Sequence, residues 1–160
     1  MDRPSIELAV VMERETAPNR WEAWRHRPVE VLLDEAAFGD EPRVLRDDGR
    51  IRRTLHPGLR LELFRDEGEG YHLNLTSGAP VWFVMWRSDD ADASRAWPEI
   101  VSVSYHEAGR WLDAQEHVDN LPLPAELVAW LQGFTDEHYR PEPKQRRRPA
   151  SFVAPGERGP

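Results

Sequence analysis

The residues that could hold a metal ion are scattered along the chain. Metal sites on helices use histidines at fixed short spacings, such as H-x3-H or HExxH. Neither pattern occurs here, and no two histidines have ligand spacing on one predicted helix. The chain has no cysteine, which excludes disulfides and thiolate metal sites within it. We therefore expect no metal and no cofactor. The six histidines are His26, His56, His72, His106, His117 and His138.

Two of these histidines lie near acidic residues and could take part in acid–base chemistry. His106 and His117 flank a predicted short helix, close to Asp113 and Glu116. The four side chains could form an acid–base cluster, or they could lie separately at solvated helix ends. The chain has no P-loop, no G-x-G-x-x-G loop and no G-x-S-x-G nucleophile motif. The lack of these signatures favours a non-catalytic protein over an unrecognised enzyme.

The segment Asn19–Pro28 has the most unusual composition, because two tryptophans are interleaved with three arginines. Tryptophan and arginine are enriched at binding hot spots, which favours a recognition surface for a protein partner. Alternatively, the tryptophans cover a sheet edge and the arginines balance the acidic body of the protein. The candidate partner-binding residues in this segment are Asn19, Trp21, Trp24, Arg25 and Arg27.

A second candidate partner-binding region is the basic C-terminal tail. The net charge of the chain is −8, but residues 140–160 carry +4 and the rest of the chain −12. The tail could bind nucleic acid, anionic lipid or an acidic protein groove, or it could simply be solvated. At Asn19–Pro28 the acidic body argues against nucleic acid, since phosphate neutralisation dominates such binding. The candidate residues are Lys144, Arg146, Arg147 and Arg148.

The length of 160 residues suits one domain. We expect a β-rich domain over residues 1–139, ending in a helix over 124–139. The proline-rich tail over 140–160 is expected to be disordered in isolation. No apolar run reaches the roughly 18 residues that span a bilayer, and the first residues do not resemble a secretory signal. Both observations favour a cytoplasmic location.

Alternating apolar residues predict that the domain is mainly antiparallel β. Residues 6–13 alternate and predict a first strand. A second predicted strand, over 21–33, contains Pro28, which cannot donate to a ladder, so this strand lies at an edge or is bulged. The sequence Asp47-Asp48-Gly49 predicts a hairpin turn, and His56-Pro57-Gly58 predicts another turn.

The strongest strand signal lies in residues 59–87, which we interpret as a three-stranded antiparallel meander. Segments 59–64 and 71–76 alternate, and the acidic, glycine-containing segment 66–70 joins them as a turn. Val81–Trp86 is apolar throughout, which predicts a central strand covered on both faces. The meander residues that could line a pocket are Tyr71, His72 and Asn74.

Two helices are predicted in the C-terminal third. Ser104 and Glu107 form a capping box before a short helix. Pro124 opens a longer helix whose apolar residues repeat with helical spacing. The fold class is therefore α+β, with about six to eight strands in a curled sheet or a small barrel or sandwich. The C-terminal helix packs on the strands, and a pleckstrin-homology-like form, seven strands followed by a helix, would fit.

Several blocks of the sequence resemble a proteobacterial family known as domain of unknown function 3305. They include N-R-W-E-A-W at Asn19–Trp24, E-G-Y-H-L-N-L-T-S at Glu69–Ser77 and P-V-W-F-V-M-W-R at Pro80–Arg87. The resemblance covers residues 5 to 148 and contains no catalytic motif. Because genes of this family typically lie beside those of molybdenum-dependent formate dehydrogenases, it implies an accessory role in the maturation or operation of that enzyme through protein contacts. A small-molecule or cofactor-binding protein that uses a barrel interior is the alternative.

Overall fold

A computed structural model describes residues 3–16 and 24–141 as seven strands and three helices. Short 3-10 turns precede β3 and α1, at Ala36–Phe38 and Arg65–Glu67. The strands are β1 (Ser5–Thr16), β2 (Trp24–Leu33), β3 (Arg43–Asp47), β4 (Ile51–Glu62), β5 (Val81–Ser88), β6 (Ala96–Ser102) and β7 (His117–Pro122). The helices are α1 (Gly68–Leu75), α2 (Tyr105–Asp113) and α3 (Ala125–His138).

The strands form two antiparallel sheets, which confirms the α+β class. The larger sheet has the order β2-β1-β4-β3, and the smaller sheet has the order β6-β5-β7. Helices α1 and α2 interrupt the strand series, so seven strands followed by one helix is not the arrangement seen. The described strands do not close into a barrel.

One apolar core fills the space between the sheets and the helices. The inward side chains of β1 and β5, including Leu8, Val10 and Val84, are fully buried in it. Helix α3 adds Leu131 and Phe134 from the other side. A smaller apolar cluster lies on the opposite face of the larger sheet, around Ala9, Val11 and Leu55. Strand β1 is therefore covered on both faces, which makes it the central element of the larger sheet.

Several local predictions are confirmed. The turn at residues 47–49 joins β3 to β4, and β5 is the middle strand of its sheet. Strand β2 lies at a sheet edge, and its register against β1 shifts next to Pro28. Ser104 caps α2, because its Oγ accepts a hydrogen bond of 3.2 Å from the backbone N–H of Glu107.

The predicted meander over residues 59–87 is wrong. Residues 59–62 complete β4 in the larger sheet, whereas β5 belongs to the smaller one. Between them, Gly68–Leu75 is helix α1 instead of a strand. A short segment with a few apolar residues fits the two-residue period of a strand and the 3.6-residue period of a helix equally well. Here tertiary contacts favour the helix, because they bury Tyr71 and Asn74 on one helical face.

The predicted turn at His56-Pro57-Gly58 is also wrong. These residues lie inside β4, at a bulge where Pro57 and Gly58 stand opposite the single residue Ala9. Gly58 has a φ of 83°, a conformation that glycine adopts without strain.

Strand β7 carried no clear alternation in the sequence, and it forms because it pairs with β5 from Val81 to Trp86.

Among the described residues, no helix has the length and apolar character needed to cross a bilayer.

Candidate functional site

Two adjoining clefts open where β1 and β2 approach the loop between β5 and β6, residues 89–95. The inner cleft has a volume of about 550 Å³, and the edge cleft one of about 660 Å³. Glu13 and His26 border both clefts. Other residues of the inner cleft include Arg14, Arg52, His56, Arg95 and Trp97. The edge cleft is lined by Glu15, Trp24, Arg25, Arg27, Trp86 and His117, among others.

A buried carboxylate ties three strands together beside these clefts. Glu13 of β1 lies opposite Arg27 of β2 and Arg53 of β4. Its side chain is 5% exposed, and each oxygen receives one arginine at N–O distances of 2.9–3.0 Å. Burial alone would raise the pKa of Glu13, but the hydrogen bonds and charges of the two arginines outweigh burial and lower it. Glu13 is therefore ionised and fully engaged, so it is a poor general base.

In the next cross-strand row, on the opposite face, the one carboxylate is that of Asp47 of β3, at the end of the row beyond Arg52. Arg14 of β1 lies opposite His26 of β2 and Arg52 of β4. The Arg14 guanidinium lies 4.4 Å from the ring centroid of Trp24, and its Nη1 donates to the carbonyl oxygen of Ser94 at 3.3 Å. These contacts hold the arginine at the border of the two clefts. Arg14 and Arg52 face each other with no acidic residue between them, so this part of the row is cationic.

Aromatic rings form the wall between β2 and the smaller sheet. The rings of Trp86 and His117 stack, with centroids 4.1 Å apart and an angle of 11° between the planes. Trp86 is held by a 2.7 Å hydrogen bond from its Nε1 to Asp119. His26 lies 6.0 Å from Trp86, and its Nε2 is 2.8 Å from the carbonyl oxygen of Ala93.

Burial is the main reason why the pKa of His26 is lowered, and the charges of Arg14 and His117 lower it further. The hydrogen bond to Ala93 opposes this shift. His26 is therefore neutral at pH 7, with Nε2 donating to that carbonyl. Among the described residues, no group of three or more histidine, aspartate or glutamate side chains is arranged to hold a metal ion. The two clefts are therefore better suited to binding a partner or ligand through arginine and aromatic side chains than to proton transfer.

The structure places three of the nine predicted partner-binding residues, and all three border the edge cleft. Trp24 is half-buried on β2, whereas Arg25 and Arg27 are exposed. Arg27 also has a structural role, since it binds Glu13. The other predicted residues, Asn19, Trp21, Lys144, Arg146, Arg147 and Arg148, lie outside the described residues.

The three predicted pocket residues lie on α1 and do not border these clefts. Tyr71 is buried, and its hydroxyl accepts a 2.8 Å hydrogen bond from the backbone N–H of Phe64. Asn74 is fully buried, and its amide bonds to the backbone of Val81 and Val103. His72 is half-buried, with its ring 5.3 Å from that of Tyr139. Tyr71 and Asn74 therefore join α1 to neighbouring backbone.

The possible acid–base cluster around His106 does not assemble. His106 Nε2 lies 2.7 Å from Glu69, whereas His117 stacks on Trp86. Glu116 pairs with Arg87 at 2.9 Å, and the hydrogen bond from this arginine lowers the pKa of the Glu116 carboxyl. These side chains take part in separate local contacts.

Sequence reasoning missed the cationic row of Arg14 and Arg52. It also missed the Glu13 clamp, in which Glu13 binds Arg27 and Arg53. Alternating charges at the end of β1 were a visible signal, but their partners depend on the β1–β4 register. That register joins residues 38 positions apart.

A family model described as Protein of unknown function (DUF3305) matches residues 7–148. No curated protein matches the chain. No solved structure matches it either.

Proposed function

The chain belongs to the DUF3305 family of proteins of unknown function, and on this premise we propose that it is a non-catalytic accessory protein that acts by binding a protein partner. The proposed partner is a molybdenum-dependent formate dehydrogenase or one of its maturation factors. The resemblance noted in the sequence motivates this choice of partner. The binding surface is the outer edge of β2 with its edge cleft.

The observation that carries the proposal is the exposed Trp/Arg edge beside a filled interior. Strand β2 pairs with β1 on one side and ends its sheet on the other. Trp24 is half-buried and held by Arg14, while Arg25 projects into solvent. A rigid aromatic residue next to an exposed arginine is typical of a binding hot spot.

The alternative, a carrier that encloses its ligand inside a barrel, has less support. The space between the two sheets is occupied by buried apolar side chains such as Val10, Leu61, Trp82 and Val84. A carrier needs a cavity there that can take up a ligand. A binding role at the surface is therefore favoured over one in the interior.

Affinity capture from cells grown with formate and molybdate tests the proposal. The wild-type protein should retain formate dehydrogenase subunits or their maturation factors, measured by quantitative mass spectrometry. Arg25→Glu should reduce capture by at least about tenfold, because a hot-spot residue contributes about 2 kcal/mol or more. Arg43→Glu is the matched control, since Arg43 is an exposed arginine on the opposite edge strand, β3.

Arg43→Glu should keep the melting temperature of the wild type, because Arg43 has no ion pair with another described residue. Arg25→Glu places a carboxylate opposite Glu15, so we expect a small fall in its melting temperature, and capture is compared at a temperature at which both variants are folded. Equal loss of capture in both variants would indicate a general charge effect and would contradict the assignment to β2. The accessory role itself is wrong if capture recovers none of these proteins and deletion of the gene leaves formate oxidation unchanged.

A further inference from the structure

We propose that the inner cleft binds a small organic molecule through a carboxylate or phosphate group, held by Arg14, Arg52 and Arg95. This site lies on the inner face of the larger sheet, whereas the proposed partner surface is the outer edge of β2. The inference does not depend on the identity of any protein partner.

The first reason is the contrast between two neighbouring cross-strand rows. On one face, Arg27 and Arg53 have the carboxylate of Glu13 between them. On the other face, Arg14 and Arg52 are direct cross-strand neighbours with no described carboxylate between them, and Asp47 lies on the far side of Arg52. Like charges directly opposite each other in a sheet are destabilising. An anion in the cleft would neutralise Arg14 and Arg52, as Glu13 neutralises Arg27 and Arg53.

The second reason is an unsatisfied donor. The Nε of Arg52 is the one buried side-chain polar atom among the described residues that has no hydrogen-bond partner. The nearest carboxylate oxygen, on Asp47, is 3.8 Å away, which is too far for a hydrogen bond. Buried donors are nearly always paired in native proteins. A ligand oxygen would supply the missing acceptor.

Two acidic residues, Asp92 and Glu13, line the cleft. One oxygen of Asp92 accepts hydrogen bonds from the backbone N–H and the hydroxyl of Ser94, at 3.0 and 2.7 Å, and its charge interacts with Arg95 and Arg14. Glu13 is neutralised by its own two arginines. Arg95 has one long ion pair, 3.4 Å from Asp89, in the loop that covers the cleft. Beside the neutralised Glu13, the cleft is lined by three arginines and one carboxylate, Asp92, and this balance of charge favours an anion.

The size and lining of the cleft indicate an organic molecule instead of a bare inorganic ion. Its volume of about 550 Å³ lies in the range of small-molecule sites. Met12, Pro42 and Trp97 provide apolar wall next to the arginines. The combination of an apolar wall and convergent cations suits a molecule with an apolar body and one oxyanion group.

Nuclear magnetic resonance titration of the whole ¹⁵N-labelled protein tests the site. The probes are benzoate, phenyl phosphate and benzyl alcohol at constant ionic strength, so that the ring is shared and the anion is varied. We expect benzoate or phenyl phosphate, but not benzyl alcohol, to shift the Arg52 Nε–H signal saturably with a Kd of about 1 mM or below. Whichever anion binds more tightly identifies the group that the site prefers.

Three arginine variants complete the test. Arg52→Gln should raise the Kd by at least about tenfold, because hydrogen bonds between ionised groups are the strong ones. Arg95→Gln, in the loop, should weaken binding as well, and it serves if the strand variant proves unstable. Arg60→Gln is the control, since Arg60 pairs with Glu7 at the far end of β4 and should leave the Kd unchanged.

The proposal is overturned if neither anion binds, or if benzyl alcohol binds as tightly as they do. It is also overturned if folded Arg52→Gln and Arg95→Gln proteins bind as the wild type does.

Discussion

Replacing Glu13 with glutamine removes the charge on which two arginines from neighbouring strands converge. Each carboxylate oxygen of Glu13 takes one arginine in two close contacts, and the side chain is almost fully buried. The amide of glutamine keeps one acceptor oxygen but turns an NH2 group toward the other arginine. One of the two pairs is therefore lost, and the other loses its ionic character.

The expected loss of stability follows from these contacts. A hydrogen bond to a charged group contributes about 1.5–3 kcal/mol. The outer parts of Arg27 and Arg53 are solvated, with side chains 65% and 41% exposed, so screening reduces this contribution. We expect Glu13→Gln to lower the free energy of unfolding by about 2 kcal/mol. For a chain of this size, that corresponds to a fall in Tm of about 4–8 °C.

Urea unfolding followed by tryptophan fluorescence measures this loss directly. Glu15→Gln is the matched control, two residues along the same strand and on the same face. Glu15 is 32% exposed and has a single 2.8 Å ion pair with Arg50, so its loss should cost less than about 1 kcal/mol. If Glu13→Gln costs no more than Glu15→Gln, the reasoning from the clamp is refuted.

Three further predictions concern α1 and two half-buried histidines. Asn74→Ala should cost about 3 kcal/mol in urea unfolding, since it leaves the backbone groups of Val81 and Val103 unpaired; a cost under about 1 kcal/mol would show that water replaces the amide. Gly70→Ala should lower stability by about 1–3 kcal/mol, because a Cβ there would collide with the buried Oγ of Ser104; Ser104→Gly should partly rescue it. Stability should fall between pH 7 and 5, because burial lowers the pKa of His26 and His56 below the unfolded value and the unfolded chain then binds more protons. A His56→Gln variant should flatten this slope in urea titrations at several pH values, and an unchanged slope would contradict it.

Signals that act over a few residues predicted their elements correctly. Pro28 indicated an edge or a bulge, and β2 has both. Ser104 and Glu107 indicated a helix start, although the backbone N–H of Ser104 bonds to Ser102 instead of to the Glu107 side chain. The apolar run of β5 indicated a central strand. In each case the cause lies in backbone chemistry or burial that neighbouring residues already determine.

Elements that depend on distant contacts were not predictable in the same way. Helix α1 forms where Asn74 reaches Val103, and its Gly70 leaves room for Ser104. Neither contact leaves a periodic trace in the sequence. The Trp24 and Arg25 edge was proposed from composition alone, whereas the row of Arg14 and Arg52 required the register of β1 against β4. The partners of a charged side chain in a sheet are set by pairing over long sequence separations.

The division of the two sheets along the chain has a consequence for biosynthesis. The larger sheet uses residues 5–62 alone, whereas the elements that cover its inner face end at residue 138. At the usual speed of translation, about 4 to 15 s separate the synthesis of these two points. Throughout that interval, the apolar inner face of the larger sheet is not yet covered by the smaller sheet and the helices. Arginines on both edge strands would then keep neighbouring nascent sheets on a polysome from pairing edge to edge. They are Arg25 and Arg27 on β2, and Arg43 and Arg46 on β3.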